Sequence, residues 1–193
     1  DDQGKQIFVD FDGAMANAKI WLNGQYVGTW PYGYSSFRMD LTPYIKVGQE
    51  NIIAVRLDTE NWDSRWYPGA GIYRHVWLVK TNPVHVGHWG TYITTPEVTS
   101  KKATVKLAVT VDNQSDKKVN ALVQTSFFEL DINNKPTKKV TATKAVTVAI
   151  NPNSNVVTET QTAVLNPKLW DIVAPNRYVA QTTVSINGKL VDR

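Results

Sequence analysis

The residues best equipped for chemistry lie together between Asp58 and Arg74. This stretch carries the rings of Trp62, Trp66, Tyr67 and Tyr73, the guanidinium groups of Arg65 and Arg74, and the carboxylates of Asp58, Glu60 and Asp63, all around the small residues Gly69, Ala70 and Gly71. Aromatic faces stack on the CH faces of sugars, and a planar guanidinium fork donates to hydroxyls at fixed angles. The small residues let a second backbone approach closely. That mixture favours a carbohydrate contact. Buried protein interfaces are enriched in the same residue types, so a loop that docks domains, or docks the rest of a larger protein, is an equal reading of the residue types alone.

Other candidate groups read as structural. Breaking a glycosidic bond normally takes two carboxyl groups across the scissile bond, and the glutamates stand only at positions 50, 60, 97, 129 and 159. Glu50 sits beside a turn, Glu97 in a polar connection between strands, and Glu129, next to two phenylalanines, reads as an outward-facing strand residue. Asp10 and Asp12 flank Phe11 at strand spacing, and Asp12-Gly13 reads as a turn, which gives both carboxylates structural roles. His85 and His88 are three apart, so on a strand they point to opposite faces, and a metal would need a third ligand. They read as surface or domain-edge histidines, and His75, between Arg74 and Val76, as an ordinary strand residue. There is no Gly-rich phosphate loop and no Gly-x-Ser-x-Gly elbow. No catalytic residue, metal or cofactor is assigned.

The elements that must position these residues are strands. In the first part, 6–11 and 18–22 read as strands, and Asn23-Gly24 as the type I′ turn of a hairpin over 19–27. Further strands are expected at 36–39, 51–57 and 72–79. Five of the seven tryptophans precede residue 82, and Thr81-Asn82-Pro83 interrupts an apolar run as a domain edge would. Beyond it the alternation is cleaner: Val105, Leu107, Val109 and Val111 point one way, Thr104, Lys106, Ala108 and Thr110 the other. Comparable strands are expected at 119–130, 139–150, 155–162 and 178–186, a spacing that fits an immunoglobulin-like sandwich.

Bulk properties exclude several classes. The formal net charge of +4 divides into −1 over residues 1–82 (8 Lys+Arg, 9 Asp+Glu) and +5 over 83–193 (13 against 8). The excess lysines lie in strand and turn sequence without interleaved aromatics, unlike a nucleic-acid platform. No run of apolar residues is long enough to span a membrane, no signal-peptide pattern is present, and with no cysteine there is no disulfide framework. Neither nucleic acid nor membrane is expected as a partner.

A family resemblance joins these observations. Phe11-Asp12-Gly13-Ala14, Ile20-Trp21-Leu22-Asn23-Gly24, Val27-Gly28, Gly33-Tyr34-Ser35-Ser36-Phe37, Asp40-Leu41-Thr42, Gly48-Gln49-Glu50-Asn51 and the run from Ser64 to Arg74 occur in the order seen in glycoside hydrolase family 2. Farther on, Asn166-Pro167-Lys168-Leu169-Trp170 with Pro175 and Tyr178 resembles the end of that family's immunoglobulin-like domain. The resemblance implies an all-β chain: a partial jelly-roll β-sandwich over 1–82, the C-terminal part of the sugar-binding domain, then an immunoglobulin-like β-sandwich over 83–193. Within the family, the Arg65 to Arg74 run looks most like β-galactosidases, with β-glucuronidases and β-mannosidases as relatives.

By the same resemblance, Arg65 is the expected sugar contact, with Trp66 and Asp63 sharing the site, while Arg74 holds the loop or a domain interface. The family's catalytic acid follows an asparagine, and no Asn-Glu pair occurs here. Both catalytic glutamates are therefore expected in a barrel outside this chain, which should be inactive alone, in a parent that is retaining and periplasmic or secreted. A jelly-roll lacking its earlier half is expected to expose strand edges and apolar surface and so to self-associate.

Overall fold

The computed structural model describes residues 2–59 and 69–193. Every regular element among them is a β-strand, and the chain divides into two compact units, Asp1–Asn82 and Pro83–Arg193.

The first unit contains β1 (Gln6–Phe11), β2 (Ala14–Met15), β3 (Ala18–Leu22), β4 (Gln25–Trp30), β5 (Phe37–Asp40), β6 (Ile53–Arg56), β7 (Gly71–Ile72) and β8 (Val76–Thr81). β1 is the centre of an antiparallel sheet between β5 and β8, β3 the centre of another between β4 and β6, and β2 pairs with β7. Alternation fixes which side is buried: Ile7, Val9 and Phe11 of β1 pack with Ala18, Ile20 and Leu22 of β3 and with Phe37 and Met39 of β5. The rings of Phe11 and Phe37 stack with centroids 4.8 Å apart. Leu22 pairs with Gln25 around Asn23 at φ 53° and Gly24 at φ 79°, the positive pair that a two-residue hairpin turn needs.

This sandwich is sealed on one side only. β4 and β5 approach so closely that a Cβ on Gly28 would stand 2.9 Å from the Met39 sulfur. On the other side, register sets Val76 and Leu78 opposite Phe11 and Val9, and Ile53 opposite Leu22, hence facing inward. These inward residues are nevertheless 43%, 58% and 41% exposed. On the outer face of the first sheet, Arg38 donates from Nε and Nη2 to both carboxylate oxygens of Asp10 at 2.6 and 2.7 Å and lies over the Phe8 ring. The single strand expected at 72–79 is two. Its partner chain turns at Asp12-Gly13, so the segment passes from β2 to β1 with Tyr73 N donating to Gly13 O and Asp12 N to His75 O.

The second unit contains β9 (Val84–Val98), β10 (Lys102–Asn113), β11 (Val119–Leu130), β12 (Pro136–Ala142), β13 (Val146–Ile150), β14 (Ser154–Leu165), β15 (Tyr178–Ile186) and β16 (Lys189–Asp192). One sheet runs β14-β10-β9, the other β12-β11-β15-β16 with β13 also on β11. Leu107, Val109 and Val111 of the first sheet bury against Ala121, Val123 and Val184 of the second, and Val105 and Phe127 form a smaller apolar cluster.

Three expectations change here. The strand expected over 139–150 breaks into β12 and β13, because Thr143 N donates to Thr125 O while the Thr143 hydroxyl accepts from Thr125 N, replacing the regular ladder. Glu97 belongs to β9, not to a polar connection, and accepts from the Thr104 hydroxyl at 3.3 Å. Glu129 is not outward-facing: it shares the parity of Phe127 on β11 and lies mostly buried at the end of the sandwich, accepting from Lys168 Nζ at 2.6 Å. That hydrogen bond, with the carboxylate's charge, holds the Lys168 ammonium above the ordinary lysine value.

Asn113, fully buried, closes the turn between β10 and β11. Its amide nitrogen lies within donating distance of the carbonyls of Lys117, Ile150 and Asn151, while its oxygen accepts from Ser115 N and Oγ. Asn113→Ala strands several buried polar groups and should lower stability by roughly 2–3 kcal/mol, read from urea unfolding. Asn113→Asp, which sets a buried carboxylate oxygen against those same three carbonyls, should cost at least as much as Asn113→Ala.

Candidate functional site

The stretch that carries the candidate chemistry is described up to Thr59 and again from Gly69, and both of these flanking stems are held by one short segment, residues 13–17. On the outgoing side, Asp58 N donates to Ala16 O at 2.9 Å, and the Asn17 side chain donates to Asp58 O at 3.1 Å. The Asp58 carboxylate accepts from Arg56 at 2.9 Å in an exposed pair. On the returning side, β7 pairs with β2, setting Ile72 opposite Ala14 and Gly71 opposite Met15. Gly71 has φ 129°, a conformation in which a side chain would be strained.

Tyr73 fastens the returning stem. Its hydroxyl donates to Gly33 O at 2.8 Å, and its ring lies so close over Gly13 that a Cβ there would stand 2.6 Å from the ring. Ala14, Met15 and Ala16 are buried, so the segment that grips both stems is itself anchored in the unit. Sequence reasoning took Asp12-Gly13 only as a turn and gave Gly33 no role beyond a motif position. The available signal was the Asp-Gly-Ala run ahead of β3, whose need for a small residue comes from a ring 60 residues away in sequence.

The expected sugar-contact residues, Asp63, Arg65 and Trp66, lie outside the described residues. Arg74, expected to hold the loop or an interface, is exposed and has no hydrogen-bond or ion-pair partner among the described residues; Tyr73 supplies the hold on the stem. Asp12 accepts from Trp77 Nε1 at 3.0 Å and lies 3.9 Å from His75 Nδ1, whose ring stacks on Trp77. With Asp10 engaged by Arg38, both of these carboxylates serve structural contacts. His88 is exposed and stacks on Trp89, but His85 is only 2% exposed, with Nε2 3.9 Å from Asp112. Beside it, Val86 N donates to the Asp192 carboxylate at 2.8 Å, tying β9 to β16. Among the described residues, no three His, Cys, Asp or Glu side chains gather to hold a metal ion.

Two facing β-sheets followed by a second β-sandwich define the class. The sequence model described as the sugar binding domain of glycosyl hydrolases family 2 matches residues 2–82, and that described as glycosyl hydrolases family 2 matches residues 84–193. The chain belongs to glycosyl hydrolase family 2, and its two all-strand units match the β-sandwich domains of that family. Among individual proteins, it is 43% identical over 193 residues to beta-galactosidase BoGH2A of Bacteroides ovatus, covering 100% of this chain and 22% of that protein. It is 28% identical over 213 residues to a beta-glucuronidase of Formosa agariphila, of which it spans 21%. A solved family 2 member from Bacteroides cellulosilyticus superposes with TM-score 0.90 at 37% identity, over 99% of this chain and 24% of that one. The chain thus spans less than a quarter of the length of these relatives.

The grip on the returning stem makes a specific energetic claim. Gly13→Ala should destabilise the chain by roughly 1–3 kcal/mol through overpacking against Tyr73. In a Tyr73→Ala background the same change should cost less than about 0.5 kcal/mol. Equal costs in both backgrounds, measured by urea unfolding, would show that the two residues are not coupled.

Proposed function

We propose that this chain is the non-catalytic accessory region of a retaining, exo-acting glycosidase that removes terminal β-galactosides, and that it supplies one wall of the sugar pocket. The observation that carries the reading is the double anchoring of the stems around residues 60–68. Stems fixed on a sheet set where the chain that carries Asp63, Arg65 and Trp66 begins and ends, which lowers the cost of bringing those residues to a substrate. The 43% identity to a β-galactosidase over the whole chain supports galactose as the sugar. In this reading Arg65 donates to sugar hydroxyls, Trp66 offers a stacking face and Asp63 accepts from a hydroxyl. The nucleophile and the acid/base glutamates belong to a catalytic barrel in the same polypeptide, secreted or periplasmic.

A second reading, a parent specific for β-glucuronides, is favoured by the relatives that carry that name. The two separate on p-nitrophenyl substrates. The full-length parent should cleave the β-galactoside and this chain alone should be inert. Arg65→Ala in the parent should lower kcat/KM by about 100-fold. Preference for the β-glucuronide would replace the first reading with the second, and turnover by the isolated chain would sink both.

The uncovered inward residues on β6 and β8 support self-association of the isolated chain. Sedimentation velocity should show a concentration-dependent shift above the monomer that Leu78→Lys abolishes. A clean monomer at high concentration would refute it.

A further inference from the structure

The outer face of the β14-β10-β9 sheet carries a depression of about 420 Å³ that none of the roles above uses. Its floor is Ala108, with Tyr92 opposite it on β9 and Glu159 opposite it on β14. The neighbouring row on the same face sets Thr94, Lys106 and Gln161 side by side. With strands about 4.8 Å apart, Tyr92 and Glu159 stand roughly 10 Å from each other at the backbone with only a methyl group between them. That gap is the width of one sugar ring and its substituents.

The sheet is shaped to hold this arrangement. β9 keeps regular register with β10 from Thr91 to Thr94, and a bulge brackets that segment at each end before the pairing resumes. At one end Val86 pairs with Val111 and Thr91 with Val109, so residues 87–90 face Thr110 alone. At the other, Glu97 pairs with Thr104 and Thr94 with Lys106, so Thr95 and Pro96 face Val105. Gly90 makes the first bulge possible, because a Cβ there would meet Gly87 O at 2.7 Å and Thr110 O at 3.0 Å. Bulges re-aim side chains and cluster beside functional sites.

The chemistry of the lining selects the ligand. The Tyr92 ring is 70% exposed, an apolar face offered to solvent on a sheet whose other side already supplies the core. Lys106 and Glu159 carry opposite charges, and among the described residues no ion pair joins them. Their charges cancel over the depression, which disfavours a polyanion, while an apolar ligand would leave four polar side chains without partners. A neutral, hydroxyl-rich ring satisfies both constraints.

We propose that this depression binds a neutral oligosaccharide, with Tyr92 as the stacking platform and Lys106, Glu159 and Gln161 as hydroxyl partners. The proposal stands apart from the reading of residues 60–68: it concerns binding by the second unit and holds whether or not the parent is a β-galactosidase.

The test titrates the 193-residue chain with cellotetraose, β-1,4-galactotetraose, β-1,4-mannotetraose and, as the anionic control, tetragalacturonate. Calorimetry gives affinity and amide chemical shifts give location. At least one neutral tetrasaccharide should bind with perturbations centred on Thr91 to Thr94, Lys106 to Ala108 and Glu159 to Gln161. Tyr92→Ala should weaken that binding by about tenfold, and Ala108→Arg, which fills an exposed depression without touching the core, should abolish it at unchanged melting temperature. No binding of any neutral sugar, perturbations confined to the first unit, equal affinity for tetragalacturonate, or full binding by Ala108→Arg would each overturn the proposal.

Discussion

The candidate site of the first unit depends on one constraint: the two chain stems that flank residues 60–68 are tied to the same five-residue segment, 13–17. The ties differ in kind. Asp58 is held by a backbone amide and an asparagine side chain, Gly71 and Ile72 by a two-residue ladder, and Tyr73 by a ring packed on glycine. Because the gripping residues Ala14 to Ala16 are buried, and Ala14 packs in the core with residues of β1, β3 and β5, the stems inherit the rigidity of the sandwich core. Loops can present functional residues only as well as their scaffold fixes their ends.

The second unit reaches order by different means. Its apolar rows meet as expected of a sandwich, yet a line of hydroxyls runs through them: Thr125 and Thr182 share a hydrogen bond at 2.7 Å in the interior, and Thr143 caps the backbone of Thr125. Such pairs pin register, since a slip by one residue would turn the hydroxyls outward and bring β11's solvent-side residues into the core. Asn113 does the same for the adjoining turn, donating to the backbone carbonyls of Lys117, Ile150 and Asn151.

Much of this architecture was legible in sequence, and the exceptions share a physical cause. β1, β3, β11 and β15 announce themselves by alternation, and the β3–β4 turn by Asn23-Gly24, because both signals are local. β9 did not: Glu97 read as part of a polar connection, and only the register with β10 shows that Gly87, Gly90 and Pro96 lie at bulges in a fifteen-residue strand. Glu129 was misjudged because its partner, Lys168, is 39 residues away. The clamp at 13–17 was equally hidden, since a glycine's need for space depends on which ring arrives beside it. Family resemblance, by contrast, named residues 63, 65 and 66 for a role that no local pattern requires.

The one-sided closure of the first sandwich also carries a kinetic consequence. The sealed flank is made of neighbours in sequence: β3 turns directly into β4, and β5 follows it closely, so these contacts close short loops. The flank left open depends on β8 returning to β1, with Gln6 opposite Thr81. Closing a loop of that length costs entropy before any contact rewards it, which places the edge with the uncovered Val76 and Leu78 late in the order of assembly. The surface that most needs covering is thus the last to be built, and the time it spends half-formed is governed by chain topology rather than by its own hydrophobicity.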